Sequence, residues 1–320
     1  MYLIFDVGGT FIKYAWTTKD GEISESGKIP TMREKQHTID DFIEALGKIY
    51  DTYKQKGEVE GIAMGVPGLV DVDNSTVYNG GAIHYLDKVN MQEVLGKRCD
   101  GVKIAVENDA KCAALAEAWK GNAKNANTAA VLIFGTGIGG GVIINGKVHH
   151  GNCNVAGELS WHICNMKRED IKNLVSENEL DNVEDVFDEL AYYDTVYCST
   201  AAMVHKVAKK KGLEDTEVSG ELIYQWAKAG DQIAIDALED TYFNIAKLCM
   251  NLYVTVGADV ILIGGGISEE PAFVKGIQRY IDQIKFVTGI YSGIKIDTCK
   301  YHNRSNLLGA LRNFQQKYDC

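Results

Sequence analysis

The same scheme is written twice along this chain: two short β-rich runs joined by glycines, followed by strand-to-helix units. Residues 2–6 and 11–17 flank Val7-Gly8-Gly9-Thr10, and a third strand is expected over 22–30. In the second half a glycine-turn hairpin spans 129–144. Alternation of this kind specifies an α/β fold, with mixed sheets flanked by helices, and its repetition predicts two similar lobes with a cleft between them. At 320 residues the chain is about twice the commonest domain size, which agrees. We expect a smaller lobe over 1–117, joined by a terminal helix 305–320, and a larger lobe over 118–304.

Apolar residues at Ile39, Phe42, Ile43, Leu46, Ile49 and Tyr50 predict an amphipathic helix over 39–53. Gly61-Ile62-Ala63-Met64 reads as a short buried strand, and 102–106 as another that runs directly into a helix from Asp109 to about Lys120. Further helices are expected over 199–211, 219–229 and 231–254, with strands at 259–263 and 293–297 and helices after Ser268 and from Ser305.

The formal charge of −11 argues against a broad nucleic-acid or anionic-membrane surface, which needs clustered Lys and Arg. Lys209-Lys210-Lys211 reads as a solvated helix end. Eight cysteines without a CxxC pair read as free thiols in a reducing cytoplasm, and residues 1–6 lack the basic and apolar regions of a signal peptide. The stretch 125–146 carries no charge and is long enough to span a bilayer, but the glycines in its middle mark it as strand, turn, strand.

Four segments carry the chemistry. Gly8 and Gly9, between Asp6 and Thr10 with Lys13 three residues on, let backbone N–H groups approach a phosphate, and Asp6 can hold magnesium through water; a plain hairpin turn is the alternative. In Gly135-Thr136-Gly137-Ile138-Gly139-Gly140-Gly141, a glycine density beyond what a hairpin needs suggests backbone packed against a ligand, with Thr136 as a hydroxyl donor. Gly264, Gly265 and Gly266, with Ser268 as a candidate N-cap, form a flat surface suited to adenosine, or else a tight turn. Asp109, after Glu107-Asn108, is either an N-cap or a general base kept ionised by the helix N-terminus.

Together these segments resemble the sugar kinases of the ROK (repressor, open reading frame, kinase) family, within the actin-like ATPase (ribonuclease H-like) fold. The resemblance implies an ATP- and Mg2+-dependent hexose kinase in which the first two glycine segments hold the phosphates. It implies Asp109 as catalytic base and Asn108 as a sugar contact. Gly65-Val66-Pro67-Gly68 matches the turn beside the sugar, with Gly68 as a contact; Asn79-Gly80-Gly81 looks like the loop that touches its hydroxyls, through Asn79 and Gly81. Gly157-Glu158 matches the pair in which Glu158 grips the ring hydroxyls.

The chain departs from the family at two places. His162 follows Glu158 by four residues rather than three, with Trp161 in the family position, and no cysteine-rich zinc segment follows: residues 165–194 have no cysteine. His162 is kept as a substrate contact and no structural zinc is expected, although His149, His150, Cys153, His162 and Cys164 form an irregular candidate set. Thr195 stands where relatives often carry a second sugar-binding Glu, so that contact is missing or supplied elsewhere. The expected partner is a small sugar, with neither nucleic acid nor membrane, and a homodimer is left open. Two other readings are a ligand-responsive repressor, which needs an N-terminal helix-turn-helix before the first strand, and a sugar-binding protein without catalysis.

Overall fold

The computed structural model describes residues 1–32, 36–81, 83–174, 185–301 and 304–319. The chain divides into two compact units. One comprises Met1–Asn125, Gly141–Ala156 and Lys300–Cys320; the other comprises Ala126–Gly140 and Gly157–Cys299.

The first unit is built on a five-stranded sheet. Its members are β1 (Tyr2–Val7), β2 (Phe11–Thr17), β3 (Ile23–Pro30), β4 (Gly61–Val66) and β8 (Ile104–Asn108), in the order β3-β2-β1-β4-β8. β1 is buried along its whole length, because both of its faces are covered. Leu3, Phe5 and Val7 point into one hydrophobic cluster, and Tyr2 and Ile4 into another, as the two-residue repeat of a strand requires. The first cluster includes α1 (Ile39–Lys54) and α2 (Met91–Arg98). Thr38 opens α1 with a capping box to Asp41, and Asn90 caps α2. The second cluster lies under α10 (Ser305–Tyr318) and α3 (Asp109–Lys120); Gly309 of α10 sits so close to the Cys112 backbone that no Cβ fits.

Three short strands, β5 (Leu69–Asp71), β6 (Thr76–Asn79) and β7 (Val89–Asn90), form a small antiparallel sheet that periodicity does not announce, since none exceeds four residues. β8 lies two residues later than expected and therefore includes Glu107 and Asn108. It pairs in parallel with β4, and β4 with β1, so that Asp6, Gly65 and Glu107 stand in one row across the sheet.

The second unit holds β9 (Thr128–Phe134), the start of β10 (Ile138–Ile144), β12 (Val260–Gly264) and β13 (Ile296–Thr298). β12 pairs in parallel with both β9 and β13. β10 carries the chain out of this unit between Gly140 and Gly141 and then forms a hairpin with β11 (Lys147–Val148). The uncharged stretch 125–146 is thus strand, turn, strand; among the described residues no helix is long and apolar enough to cross a membrane. After the short α4 (Val186–Glu189) and α5 (Thr195–Cys198), the helices α6 (Thr200–Lys211), α7 (Gly220–Lys228), α8 (Gln232–Val256) and α9 (Pro271–Ile284) contribute to one core cluster with β9 and β12. Ser199, Ser219 and Asp231 cap α6, α7 and α8. Ser268 does not cap α9, contrary to the sequence expectation. Its hydroxyl donates to the Gly265 carbonyl within the 3-10 turn Gly266–Glu269, while Glu270 caps the helix and Pro271 occupies its first position, where a missing N–H costs nothing.

Candidate active site

In the first unit, Asp6, Gly68, Asn79, Gly81, Asn108 and Asp109 gather near the carboxyl ends of β1, β4 and β8. Gly65 lies between the two aspartates: a Cβ there would sit 3.8 Å from Asp109 Cα and 4.0 Å from Asp6 Oδ1. Asp6 is buried, accepts a hydrogen bond from Asn306 Nδ2 at 3.0 Å, and faces the half-exposed Lys13 Nζ at 3.5 Å. Burial raises its carboxyl pKa above the ordinary value, against the opposing pull of Asn306 and Lys13. Gly8, Gly9 and Thr10 form the turn between β1 and β2; Gly8 N donates to Phe11 O at 3.1 Å, and Thr31 Oγ1 donates to Gly8 O at 2.6 Å.

The start of α3 separates two roles that the sequence leaves merged. Asn108, not Asp109, is the N-cap: its side chain accepts from Lys111 N at 3.0 Å. Its Nδ2 donates to Gly68 O at 3.0 Å, which binds the β4–β5 turn to the strand end. Asp109 is the first helical residue, and its Oδ1 accepts from Ala110 N at 2.8 Å. Gly68 has φ +86° and lies against the Asn79 carbonyl, leaving no space for a side chain; Asn79 Oδ1 in turn accepts from Gly81 N at 2.7 Å. Behind Asn108 sits an arrangement the sequence does not signal. The buried Glu107 accepts from Asn108 N at 2.8 Å and pairs with His150 Nε2 at 2.7 Å.

In the second unit, the glycine runs divide into packing and open positions. In the run after Phe134, a Cβ on Gly137 would approach Ser160 Oγ to 2.8 Å, and one on Gly140 would meet both Leu159 and the Gly157 carbonyl at 2.8 Å. Gly141, counted with the first unit, faces Ala114 Cβ at 2.5 Å, and Gly139 is half-buried within β10. Gly135 alone of those four packed or open positions meets nothing within 4 Å. Packing against protein therefore requires glycine at Gly137, Gly140 and Gly141. The run at 264–266 behaves alike: Gly264 packs on Ile133 and Cys299, Gly265 (φ +92°) on the Phe134 backbone, and Gly266 faces open space. Gly135, Thr136 and Gly266 line one cavity of about 670 Å³, together with Tyr224 and Gln225. Thr200, at the first turn of α6, also lines it, and its hydroxyl oxygen is buried without a hydrogen-bond partner among the described residues. An orphaned buried hydroxyl beside a cavity marks a ligand contact or an ordered water, and nothing in the sequence pattern around Thr200 points to it.

Glu158 precedes the 3-10 turn Leu159–Trp161. His162, after that turn, directs Nδ1 to Asp194 Oδ2 at 2.6 Å, and Asp194 is buried. Trp161 packs edge-on against Tyr193, with ring centroids 5.5 Å apart. Thr195 Oγ1 lies 3.6 Å from a Cβ placed on Gly137. Of the irregular zinc set, His150 is paired with Glu107 and His162 with Asp194, and no cluster of three or more metal-ligating side chains exists among the described residues. Residues 175–184 of the cysteine-free segment lie outside the described residues.

Three relatives fit this architecture. The chain is 27% identical to a β-glucoside kinase of Klebsiella pneumoniae, covering 98% of this chain and 96% of that protein. It is 28% identical to an N-acetyl-D-glucosamine kinase of Vibrio atlanticus, with 97% and 98% covered. A solved ROK family protein from Streptococcus pneumoniae, in complex with sucrose, superposes with a TM-score of 0.80 at 29% identity, covering 99% of each chain. The α/β architecture is that of the actin-like ATPases. The ROK family model matches residues 2–180 and 193–317, and this chain belongs to the ROK family.

Proposed function

We propose that this chain is an ATP-dependent sugar kinase that transfers the γ-phosphoryl group to a hydroxyl of a hexose or hexose derivative, with Asp109 as general base. The observation that carries the reading is the start of α3, where Asn108 takes the N-cap position and Asp109, the first helical residue, lies across Gly65 from the buried Asp6. Its kinship with β-glucoside and N-acetylglucosamine kinases over nearly the full chain supports the same activity.

The roles follow from the side chains. Asp109 accepts the proton of the attacking hydroxyl as the phosphoryl group moves; phosphoryl transfer is loose, so positioning and charge stabilisation do most of the work. The cavity bounded by Gly135 and Gly266 takes the adenosine, with Thr136 and Thr200 offering hydroxyls to the nucleotide. The turn Gly8-Gly9-Thr10, with Lys13, faces the phosphates. Glu158 accepts hydrogen bonds from neighbouring ring hydroxyls, and Gly68, Asn79, Gly81, Asn108 and His162 are further candidate sugar contacts.

The donor set also fits magnesium. Mg2+ in such sites keeps several waters and takes one or two carboxylates plus substrate phosphates rather than a protein cage. Asp6 supplies one buried carboxylate, and a cation beside it would offset the cost of its burial. When bound, the ion neutralises charge on the phosphates. No structural zinc is part of this proposal. The test is ADP release by wild type and Asp109→Asn over glucose, mannose, fructose, N-acetylmannosamine, N-acetylglucosamine and a β-glucoside. At least one sugar should stimulate the wild type; stimulation by none of them refutes the assignment.

A further inference from the structure

Ser160 lies in the middle of the 3-10 turn that starts directly after Glu158. Its Oγ accepts a hydrogen bond from Ile138 N at 2.9 Å and donates one to Ile138 O at 3.2 Å. Ile138 is the first residue of β10 and follows Gly137 directly. One hydroxyl therefore satisfies both backbone groups at the point where the loop Gly135-Thr136-Gly137 rejoins its strand. The fit is close on either side, since Gly137 has no space for a Cβ against Ser160 Oγ and Gly140 has none against Leu159.

The far end of the turn is fixed as well. Asp194 N donates to His162 O at 2.9 Å, Asp194 Oδ2 pairs with His162 Nδ1, and Cys164 N donates to Tyr192 O at 2.9 Å. The turn bearing Glu158 is thus a short rigid piece held between residues 192–194 and the end of the glycine loop. Backbone N–H groups bind an anion only when they point at it, so a tilt of this piece re-aims the loop.

We infer that Ser160 is a positioning residue that couples sugar binding at Glu158 to nucleotide binding at Gly135–Gly137. The inference rests on the proposed roles of Glu158 and of this loop. A sugar held by Glu158 sets the orientation of the turn, and the two hydrogen bonds of Ser160 pass that orientation to Ile138 and Gly137. By linkage, the nucleotide tightens the sugar by the same factor as the sugar tightens the nucleotide.

The experiment is calorimetric titration of AMPPNP with magnesium, with and without saturating glucose, N-acetylglucosamine or methyl β-glucoside. It uses wild type, Ser160→Ala, Ser160→Gly and Glu158→Gln, each first checked for a cooperative thermal melt. In the wild type, a sugar that binds should tighten AMPPNP about fivefold or more, the lower end of ordinary coupling. In both Ser160 variants the ratio should fall to near one, whatever the affinity for AMPPNP alone. A wild-type ratio in either Ser160 variant, or a ratio of one in wild type, overturns the coupling. If Glu158→Gln binds the sugars as wild type does, the assignment of Glu158 fails and the coupling falls with it.

Discussion

Asp109→Asn and Asn108→Ala, at adjacent residues, separate chemistry from capping. In Asp109→Asn the side-chain Oδ1 remains, so the bond from Ala110 N at 2.8 Å survives and the cap at Asn108 is untouched. What is lost for stability is a negative charge in the first turn of a helix, about 0.3–1 kcal/mol. For a unit of this size that lowers Tm by about 1–4 °C. Asn108→Ala instead removes the cap to Lys111 N, about 1 kcal/mol, and strips Gly68 O of its donor, about 1–3 kcal/mol. Its Tm should fall by about 4–16 °C at ~2–4 °C per kcal/mol.

Activity should rank the two variants the other way. Asp109→Asn loses the base, which costs about 10²–10⁴ in kcat. Asn108→Ala keeps the carboxylate and should lose less kcat at a temperature where both variants are folded, with a larger effect on sugar KM. Coupled ADP-release kinetics and differential scanning calorimetry on the same preparations decide the matter. Near-wild-type turnover by Asp109→Asn, or a melt as early as that of Asn108→Ala, would refute the reasoning.

Asp6→Asn should abolish turnover yet raise the Tm of the nucleotide-free protein at neutral pH. The folded carboxyl holds its proton more tightly than the unfolded one, so the stability it confers when protonated is lost as pH rises through its raised pKa. The gain from Asn should therefore fade as pH falls to the ordinary carboxylate value, and a pH series of melts showing the opposite trend defeats this account. Glu158→Gln should raise sugar KM by roughly 5–150-fold, corresponding to about 1–3 kcal/mol, with far less effect on ATP KM. With Thr195 in place of a carboxylate, glucose over mannose should be only weakly preferred, and a sharp preference counts against this sugar pocket. Purified protein should carry less than stoichiometric zinc by metal analysis while its activity requires added magnesium; one zinc per chain, with Tm falling on chelation, overturns the first part.

The elements legible in the sequence are those long enough to show a period. The apolar spacing from Ile39 to Tyr50 marks α1 within a residue of its observed span, and the glycine turn between two β-rich runs in 129–144 marks the β9–β10 hairpin. The sheet β5-β6-β7 was not legible, because strands of two to four residues carry no period to read. Glu107–His150 and His162–Asp194 were invisible for a different reason: each joins residues far apart in the chain, and only the fold brings such side chains together. The cap at Asn108 was within reach. An Asn one residue before the helix, with its side chain free to turn back on Lys111 N, competes with Asp109 for that role, and the position of β8 decides it.

The glycines carry a mixed signal. Their density drew attention to the nucleotide, yet Gly137, Gly140, Gly141, Gly264 and Gly265 are small because protein atoms fill the space a side chain would take. Among the glycines of these two runs, the open positions Gly135 and Gly266 line the 670 Å³ cavity. The packing glycines still matter to the chemistry, one step removed. By letting Leu159 and Ser160 approach β10 closely, they bring the turn after Glu158 against the strand that ends the loop. Replacing Gly137 would push on Ser160 Oγ, and replacing Gly140 would push on Leu159, so either change disturbs both binding elements through one contact surface. A glycine run of this kind records packing at some positions and open space at others, and which residue answers to which depends on packing that is set elsewhere in the chain.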